Sequence, residues 1–249
     1  MGDRGRGRDD AMISALMDLP GVRDALPRVE DALRAATVED DAFLTELAQH
    51  LLVAGGKRLR PLLVLASAAA VGGRINDAVI QCAATVELVH IGSLYHDDVM
   101  DEAQLRRGVV AVNARFGNSM AILAGDILLA RASALALSVD ADTARIVAST
   151  IAAMCVGQLR ELRETYETAR GEEAYLRSID GKTAALCAAA CQLGALAGGG
   201  SSQDTEKLSQ FGRSFGIVFQ LADDILDLIE QPQELTSFAW TVDQINRAT

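Results

Sequence analysis

The sequence predicts an all-α protein that folds as a single helical bundle. Half of the 249 residues are apolar, only 4% are aromatic, and Ala and Leu dominate. Ala and Leu are strong helix formers, and the β-branched runs typical of strands are scarce. Apolar residues recur at helical spacing, and no linker is long enough to separate two domains. We therefore expect eight to ten helices within residues 11–230, a disordered segment at 1–10 and an atypical tail at 231–249.

Glycine, proline and capping residues set the predicted helix boundaries. Pro27 opens a second helix after a weak first one. Gly55 follows a third helix with an apolar stripe, and Pro61 fits the first turn of the fourth, where its missing N–H needs no partner. Asn76 or Asp77 can cap a long fifth helix. The predicted helices cover residues 11–17, 27–36, 40–53, 61–71, 78–105, 119–137, 140–168, 172–196 and 204–230, with a linker at 113–118 and a flexible connector at 198–202.

Composition and charge narrow the classes of function. The chain has 23 Lys and Arg against 34 Asp and Glu, which gives a net charge of −11. An acidic chain of this kind is by default a poor nucleic-acid binder. The first ten residues lack the apolar core of a signal peptide, and no run of 18 or more apolar residues occurs. We therefore expect a cytoplasmic protein that has no transmembrane span and binds no nucleic acid.

The four cysteines lack the spacing of a metal site. Cys187 and Cys191 are one helical turn apart in an Ala-rich run with no histidine nearby. Structural zinc sites usually take their ligands in closely spaced pairs. We therefore expect buried, apolar thiols at all four positions: Cys82, Cys155, Cys187 and Cys191.

Two copies of Asp-Asp-x-x-Asp are the most informative feature of the sequence, and both interrupt apolar helical patterns. Carboxylates are rarely buried unless they are paired or bind metal. Residues four apart share a helix face, which groups the first and last aspartate of each motif: Asp97 with Asp101, and Asp223 with Asp227. A single copy is most often a solvated acidic turn. Two copies predict a site where Mg²⁺ bridges carboxylates to a polyphosphate.

Basic residues accompany the aspartate motifs. Three cations follow a glycine pair at the start of the fourth helix, where helix N-termini favour anions: Lys57, Arg58 and Arg60. His90 lies two turns before the first motif on the same helix face, and Arg106 and Arg107 follow the motif. Each of these alone is plausible as surface charge. Their association with the aspartates in an acidic chain predicts an anion-binding site.

Taken together, the motifs resemble those of the trans-type polyprenyl diphosphate synthases, in particular the long-chain and geranylgeranyl-like subgroup. The matching segments occur in family order and span about residues 40–230. They are GGKRLRP at 55–61, ELVH at 87–90, HDDVMDEAQLRRG at 96–108, GD at 125–126, GQ at 157–158, GKTA at 181–184 and GIVFQLADDILD at 216–227.

The resemblance implies an isoprenoid-synthase-type bundle with a central active-site cavity, assembled as a homodimer. It also implies Mg²⁺-dependent prenyl transfer with three metal ions per site. An allylic diphosphate ionises, isopentenyl diphosphate attacks the allylic cation, and the metals and cations stabilise the leaving group. No protein nucleophile is needed, which agrees with the absence of any Ser/His/Asp arrangement in the sequence.

The family motifs also imply roles for individual residues. The implied metal ligands are Asp97, Asp101, Asp223 and Asp227. The implied contacts of isopentenyl diphosphate are Lys57, Arg58, Arg60, His90 and Arg107. The residues implied to face the allylic diphosphate or the developing cation are Arg106, Lys182, Thr183 and Gln220. The implied catalytic group comprises Asp97, Asp98, Asp101, Arg106, Lys182, Gln220 and Asp223, with Asp224 as a further contact.

Product length can be argued sterically. The growing chain is expected to run from the first motif towards earlier turns of the same helix. Gly92 and Ser93 leave this channel open where a bulky aromatic would form a floor. Tyr95 points elsewhere on the helix, and Val89 and Leu88 lie one turn further along. We therefore expect geranylgeranyl diphosphate or a longer product.

The C-terminal part departs from the family pattern. Members normally continue past the second motif with a Gly-Lys segment and a Gly-Lys-x-Thr-x-Pro helix start, and neither occurs before Thr249. We expect a C-terminally truncated chain with exposed apolar surface. A non-catalytic or partner-dependent subunit is therefore an alternative. A class I terpene cyclase is a third hypothesis, against which the second aspartate motif and the GGKRLRP segment argue.

Overall fold

The computed structural model describes residues 11–164 and 171–230, with side chains up to residue 226. These ranges are helical apart from the connecting loops and one short hairpin, which confirms the all-α prediction. The helices are α1 (11–17), α2 (Val22–Ala36), α3 (Ala42–Val53), α4 (Leu59–Ala70), α5 (Asp77–Met100), α6 (Val112–Phe116), α7 (Asn118–Val139), α8 (Ala141–Glu164), α9 (Glu172–Ile179), α10 (Ala185–Ala197) and α11 (Ser202–Glu230). A π-helical turn (Asp180–Ala184) joins α9 to α10, and strands β1 (Leu105–Arg106) and β2 (Val109–Val110) pair antiparallel.

Helix α5 is the central element of the bundle. Within the described ranges its contact with α7 is the most extensive between any two elements, and it also packs on α2, α4 and α10. Buried side chains surround most of its circumference, among them Cys82, Val86, Leu88 and Ile91. A helix that is apolar on all sides belongs in a core. This burial makes α5 a rigid support for the polar residues at its C-terminal end.

Motif glycines permit close contacts between helices. A Cβ atom on Gly125 of α7 would lie 2.4 Å from the His96 imidazole of α5. A Cβ atom on Gly157 of α8 would lie 2.4 Å from the backbone nitrogen of Lys182 in the π-helical turn. Both approaches are too short for any side chain, since packed interiors leave no free space. These two glycines therefore bring α7 and the π-helical turn against the site.

Most predicted helices agree with the structure. The Asn76 side chain caps α5 by accepting a hydrogen bond from the Val79 N–H at 3.0 Å, as predicted. Helix α2 begins at Val22, earlier than predicted, and contains Pro27. Burial of Val22 and Ala25 outweighs the hydrogen bond that this proline cannot donate. The predicted residues 165–168 of α8 lie outside the described ranges.

Three further boundary predictions were wrong. Helix α5 ends at Met100 and a hairpin follows, a helix lies in the predicted linker 113–118, and the predicted helix 172–196 is divided by the π-helical turn. Arg107 and Gly108 form the hairpin turn with φ of 52° and 78°. Positive φ at both central residues is what a two-residue hairpin of type I′ requires. Apolar periodicity does not report such backbone angles, so the hairpin was missed.

Three of the four cysteines are buried, as predicted: Cys82, Cys187 and Cys191. Burial raises the pKa of Cys82 and of Cys191 to about 12. The prediction for Cys155 was wrong, because this thiol is exposed and lines a cavity beside α5.

Helices α5 and α7 are each long and apolar enough to cross a membrane, judged by length and composition alone. Core helices of globular proteins pass the same criterion, and α5 is mostly buried within the bundle. Helix α7 is mostly unburied, so its outer face needs a separate explanation.

Candidate active site

A cavity of about 500 Å³ lies between α5, α7 and α8. Its lining on α5 extends from Val89 to Met100, a length of about 16 Å along the helix axis. Its polar lining includes Asp97, Gln158 and Lys182. Val89 lies more than two helical turns from Asp97, among apolar side chains. One end is therefore polar and the other apolar. This shape suits an elongated apolar ligand with a charged head group.

The aspartates of the first motif face different directions. Asp97 lines the cavity and is half-buried, and Asp101 is exposed at the end of α5. Burial raises the pKa of the Asp97 carboxyl, the charge of Lys182 lowers it, and that of Asp101 raises it. The Asp98 side chain is fully buried. Its Oδ1 accepts a hydrogen bond from Nε of Arg106 at 2.6 Å and forms an ion pair with Nη2 of the same guanidinium, also at 2.6 Å. The structure therefore leaves the carboxylates of Asp97 and Asp101 accessible and engages Asp98 inside the protein.

The second motif is tied to α9 and the π-helical turn by a series of hydrogen bonds. Asp224 accepts hydrogen bonds from the Tyr175 hydroxyl and from Nε2 of Gln220, the latter at 2.8 Å. Oε1 of Gln220 in turn accepts a hydrogen bond from the Thr183 hydroxyl at 2.8 Å. Thr183 and Gln220, which belong to separate sequence motifs, therefore contact each other. Tyr175 was not predicted.

The donor atoms of the two motifs fit a hard cation. Asp223 is exposed on α11, and the side chain of Asp227 lies outside those described. Among the described residues, no group of three or more His, Cys, Asp or Glu side chains is placed to hold a metal ion. Mg²⁺ commonly keeps several waters and is held by one or two carboxylates together with substrate phosphates. The site thus fits Mg²⁺ that binds with a diphosphate, and it does not resemble a closed metal centre.

Arg60, His90 and Arg107 form a second part of the site, next to the exposed Lys57. Nη1 of Arg60 lies 3.0 Å and Nη2 of Arg107 lies 3.3 Å from Nε2 of His90. Burial, followed by the charges of Arg60 and Arg107, holds the pKa of His90 well below its usual range. The neutral ring accepts from the arginines at Nε2 and so carries its proton on Nδ1. Two cations held around a neutral ring offer an anion both charge and a further donor.

Glu87 is a buried carboxylate that contacts Arg58 and Arg107. Its side chain is 2% exposed, its Oε1 lies 3.1 Å from Nη1 of Arg58, and Nη2 of Arg107 lies 3.8 Å away. Arg58 also donates to Glu30 and to the Leu52 carbonyl. The structure therefore places Arg58 behind the site, where its donors are already engaged. The hydrogen bonds of Arg58 to Glu30 and Leu52 fix the loop that precedes α4.

Lys182 lies at the polar end of the cavity near Asp97, and its Nζ donates to Glu161 at 2.7 Å. Glu161 is a further residue that sequence reasoning missed, because it falls outside the matched motifs. It follows Gly157 by four residues on α8, so the helical period was the one signal that pointed to it.

The cavity tests the predicted channel. Ser93 and Val89 line it, as predicted, and Tyr95 points away and donates to the Leu47 carbonyl of α3 at 2.9 Å. Gly92 does not open the channel: it packs against α7, where an added Cβ would lie 3.1 Å from a backbone carbonyl oxygen. The channel is therefore open beside Ser93 and closed beside Gly92.

The bundle and its site define an isoprenoid-synthase-type helical protein. The chain belongs to the polyprenyl synthetase family, whose family model matches residues 41–238. This membership sets aside the terpene cyclase hypothesis. The match ends within residues 231–249, the segment interpreted from sequence as atypical, and that segment lies outside the described ranges.

Similar proteins are polyprenyl diphosphate synthases. The chain is 42% identical over 214 residues to the nonaprenyl diphosphate synthase of Mycobacterium tuberculosis, covering 86% of this chain and 64% of the relative. It is 40% identical over 200 residues to the geranylgeranyl diphosphate synthase of Methanosarcina mazei, covering 77% of this chain and 60% of the relative. A polyprenyl synthase from Caulobacter crescentus, solved with calcium and isoprenyl diphosphate, superimposes with a TM-score of 0.81 at 36% identity, covering 86% of this chain and 65% of that one. The chain thus spans just under two thirds of the length of these relatives.

Proposed function

We propose that the protein is a Mg²⁺-dependent prenyltransferase that condenses isopentenyl diphosphate with an allylic diphosphate. The product is a trans-polyprenyl diphosphate of geranylgeranyl length or longer. The observation that carries this proposal is the apolar cavity with Asp97 and Lys182 at its polar end. A prenyl diphosphate needs both environments in one site. The names of the relatives support the reaction class, and the cytoplasmic location stays a prediction from sequence.

The proposed metal site uses carboxylates from both motifs: Asp97, Asp101, Asp223 and Asp227. Bound Mg²⁺, three ions per site, would neutralise the charge that develops on the departing diphosphate. Lys182 adds positive charge at the same end of the cavity. Thr183 and Gln220, which are joined by a hydrogen bond, would add polar groups near the allylic substrate.

Arg60, His90 and Arg107, here called the arginine–histidine cluster, are the proposed site of isopentenyl diphosphate. Lys57, Arg60 and Arg107 would bind its phosphates, with His90 as a neutral donor through Nδ1. The allylic C–O bond breaks and the diphosphate leaves with the electron pair. The double bond of isopentenyl diphosphate then forms the new C–C bond, and a proton passes from the adjacent carbon to the released diphosphate. The apolar walls of the cavity keep water from the cation.

The assembly proposed is a homodimer formed through α7. Apolar residues recur on the outer face of this helix at intervals of three and four: Met120, Leu123, Ile127, Ala130, Ala134 and Leu137. Leu123 is 57% and Leu137 is 65% exposed. A continuous apolar helix face of this length typically marks an interface. Two copies related by a two-fold axis would cover it with the same face of the partner.

A second candidate function is a partner-dependent subunit. The Bacillus subtilis protein named heptaprenyl diphosphate synthase component 2 is 37% identical over 215 residues, covering 86% of this chain and 62% of that protein. On α11, Phe211, Val218 and Ile225 are spaced seven residues apart and are each more than half exposed. A partner that completes the synthase would cover this face.

Release of diphosphate from the purified chain tests the proposal. The chain is incubated with isopentenyl diphosphate, Mg²⁺ and geranyl, farnesyl or geranylgeranyl diphosphate in turn. We expect release that needs both substrates and Mg²⁺ and is lost in Asp97→Ala but kept in Asp142→Asn, an exposed carboxylate on α8. Release that appears only after a second protein is added would favour the partner-dependent subunit.

A further inference from the structure

The second aspartate of each motif is engaged by donors from a neighbouring element. Asp98 on α5 is fully buried, accepts a hydrogen bond from Nε of Arg106 in the hairpin and is ion-paired with the same guanidinium. Asp224 on α11 accepts hydrogen bonds from Tyr175 of α9 and from Gln220, one turn earlier on the same helix. The two motifs therefore share one arrangement, although their partners differ in chemistry and in position along the chain.

We propose that Asp98 and Asp224 are positioning residues that fix the rotation of their helices about the diphosphate site. This inference rests on the proposed function. Successive helical residues are rotated by about 100°, and residues four apart by only about 40°. An aspartate anchored on the protein side therefore holds its predecessor, Asp97 or Asp223, on the side of the substrate.

Asp98 also links the metal end of the site to the arginine–histidine cluster. Its backbone carbonyl accepts hydrogen bonds from the Ala103 N–H and from Nδ2 of Asn113, both at 2.9 Å, which hold the chain that leaves α5. Its side chain holds Arg106, and the next residue is Arg107. A change at Asp98 should therefore reach isopentenyl diphosphate through the hairpin.

Asp224 acts on the other side of the site. Through Gln220 it is connected to Thr183, which follows Lys182 in the π-helical turn. Tyr175 attaches the same carboxylate to α9. A change at Asp224 should therefore alter the placement of Lys182 and the allylic substrate, and leave isopentenyl diphosphate less affected.

Steady-state kinetics of asparagine variants separate positioning from metal ligation. Asp98→Asn, Asp224→Asn and Asp97→Asn are compared for the Mg²⁺ concentration at half-maximal rate, for kcat and for each KM, with Asp142→Asn as the control. We expect Asp97→Asn to raise the Mg²⁺ requirement at least about tenfold. The two positioning variants should keep it within about twofold. Asp98→Asn should raise the KM of isopentenyl diphosphate, and Asp224→Asn that of the allylic substrate.

Double variants test whether each aspartate acts through its partner. Tyr175→Phe should reproduce Asp224→Asn, and combining the two should be no worse than the more severe single change. Asp98→Asn combined with Arg106→Gln should show the same lack of additivity. Arg106→Lys should raise the KM of isopentenyl diphosphate less than Arg106→Gln does. Thermal unfolding of each variant checks that it folds. If an aspartate variant does not fold, the variant of its partner, Tyr175→Phe or Arg106→Gln, replaces it in the comparison.

A Mg²⁺ requirement in Asp98→Asn or Asp224→Asn that rises as far as in Asp97→Asn would overturn the inference. If the unaltered chain turned over no substrate, the proposed function would fall, and calorimetric titration with inorganic pyrophosphate and Mg²⁺ would decide the inference. Binding kept in both positioning variants and lost in Asp97→Asn supports it. Binding lost in all three, or absent from the unaltered chain, overturns it.

Discussion

His90 is the residue at which burial most clearly decides chemistry. Isolated in water the imidazole titrates near neutrality, but burial and the adjacent arginines hold its pKa well below that range. The ring stays neutral among cations, so it does not repel Arg60 and Arg107 and can accept from both. Glu87 offsets part of the remaining positive charge. The positive charge of this cluster is therefore concentrated on its guanidinium groups.

This arrangement predicts a pH dependence of stability. Below about pH 6.5 an unfolded chain binds a proton at His90 that the folded chain does not, so the free energy of unfolding falls as the pH falls. Urea unfolding at about pH 5.5 and about pH 7.5 should show a smaller decrease for His90→Gln than for the unaltered chain. His50→Gln, outside the cluster, should keep the full decrease. Equal decreases in the unaltered chain and in His90→Gln would contradict this assignment.

Sequence reasoning named Asp97 and Lys182, which line the cavity in the structure, but it did not name the partners of the motif residues. Residue spacing on a helix identified Asp97 and Asp101 as a pair because that relation is local. The inward direction of Asp98 depends on Arg106, which arrives from a hairpin that apolar periodicity does not reveal. The engagement of Arg58 by Glu30 and Glu87 depends likewise on three separate helices meeting. Tertiary contacts of this kind cannot be deduced from local pattern.

At the scale of elements, capped and periodic helices were predicted well, and irregular elements were not. The cap of α5 and the proline at the start of α4 are local features. The π-helical turn is a tertiary feature, because Gly157 of α8 allows the backbone at Gly181 and Lys182 to approach closely. That approach places Lys182 at the cavity.

Replacing this glycine should separate the two elements. In Gly157→Ala the new methyl group would lie 2.4 Å from the Lys182 nitrogen, so we expect a loss of about 1–3 kcal/mol in the free energy of unfolding. Urea unfolding measures it. Gly171→Ala is the matched control, since no atom of the described residues lies within 4 Å of that position and its φ is −82°. Equal stability of the two variants would show that the close contact does not constrain the structure.

The apolar end of the cavity, which the Val89 side of α5 lines, should set the product length. Val89 lines the cavity two turns from Asp97, so Val89→Phe should fill the channel and shorten the products. Chromatography of the dephosphorylated prenyl alcohols measures the change. Val156→Phe makes the same substitution at an exposed α8 position that does not line the cavity and should leave the length unchanged. Unchanged products in Val89→Phe would refute this path for the growing chain.

For the whole molecule, the apolar face of α7 predicts dimerisation. Leu123→Arg places a charge within the proposed interface and should shift the protein from dimer to monomer in sedimentation equilibrium. Val53→Arg is the control, because Val53 is 70% exposed at the end of α3 and does not belong to the apolar face of α7. A monomeric unaltered chain, or a dimer that Leu123→Arg leaves intact, would contradict the α7 interface.

The central claim is that this chain extends a prenyl diphosphate along the cavity beside α5. The most direct measurement incubates the folded chain with labelled isopentenyl diphosphate, farnesyl diphosphate and Mg²⁺, then sizes the dephosphorylated products. We predict labelled geranylgeranyl or longer chains, which disappear in Asp97→Ala. No labelled product with farnesyl or any other allylic primer would contradict the claim.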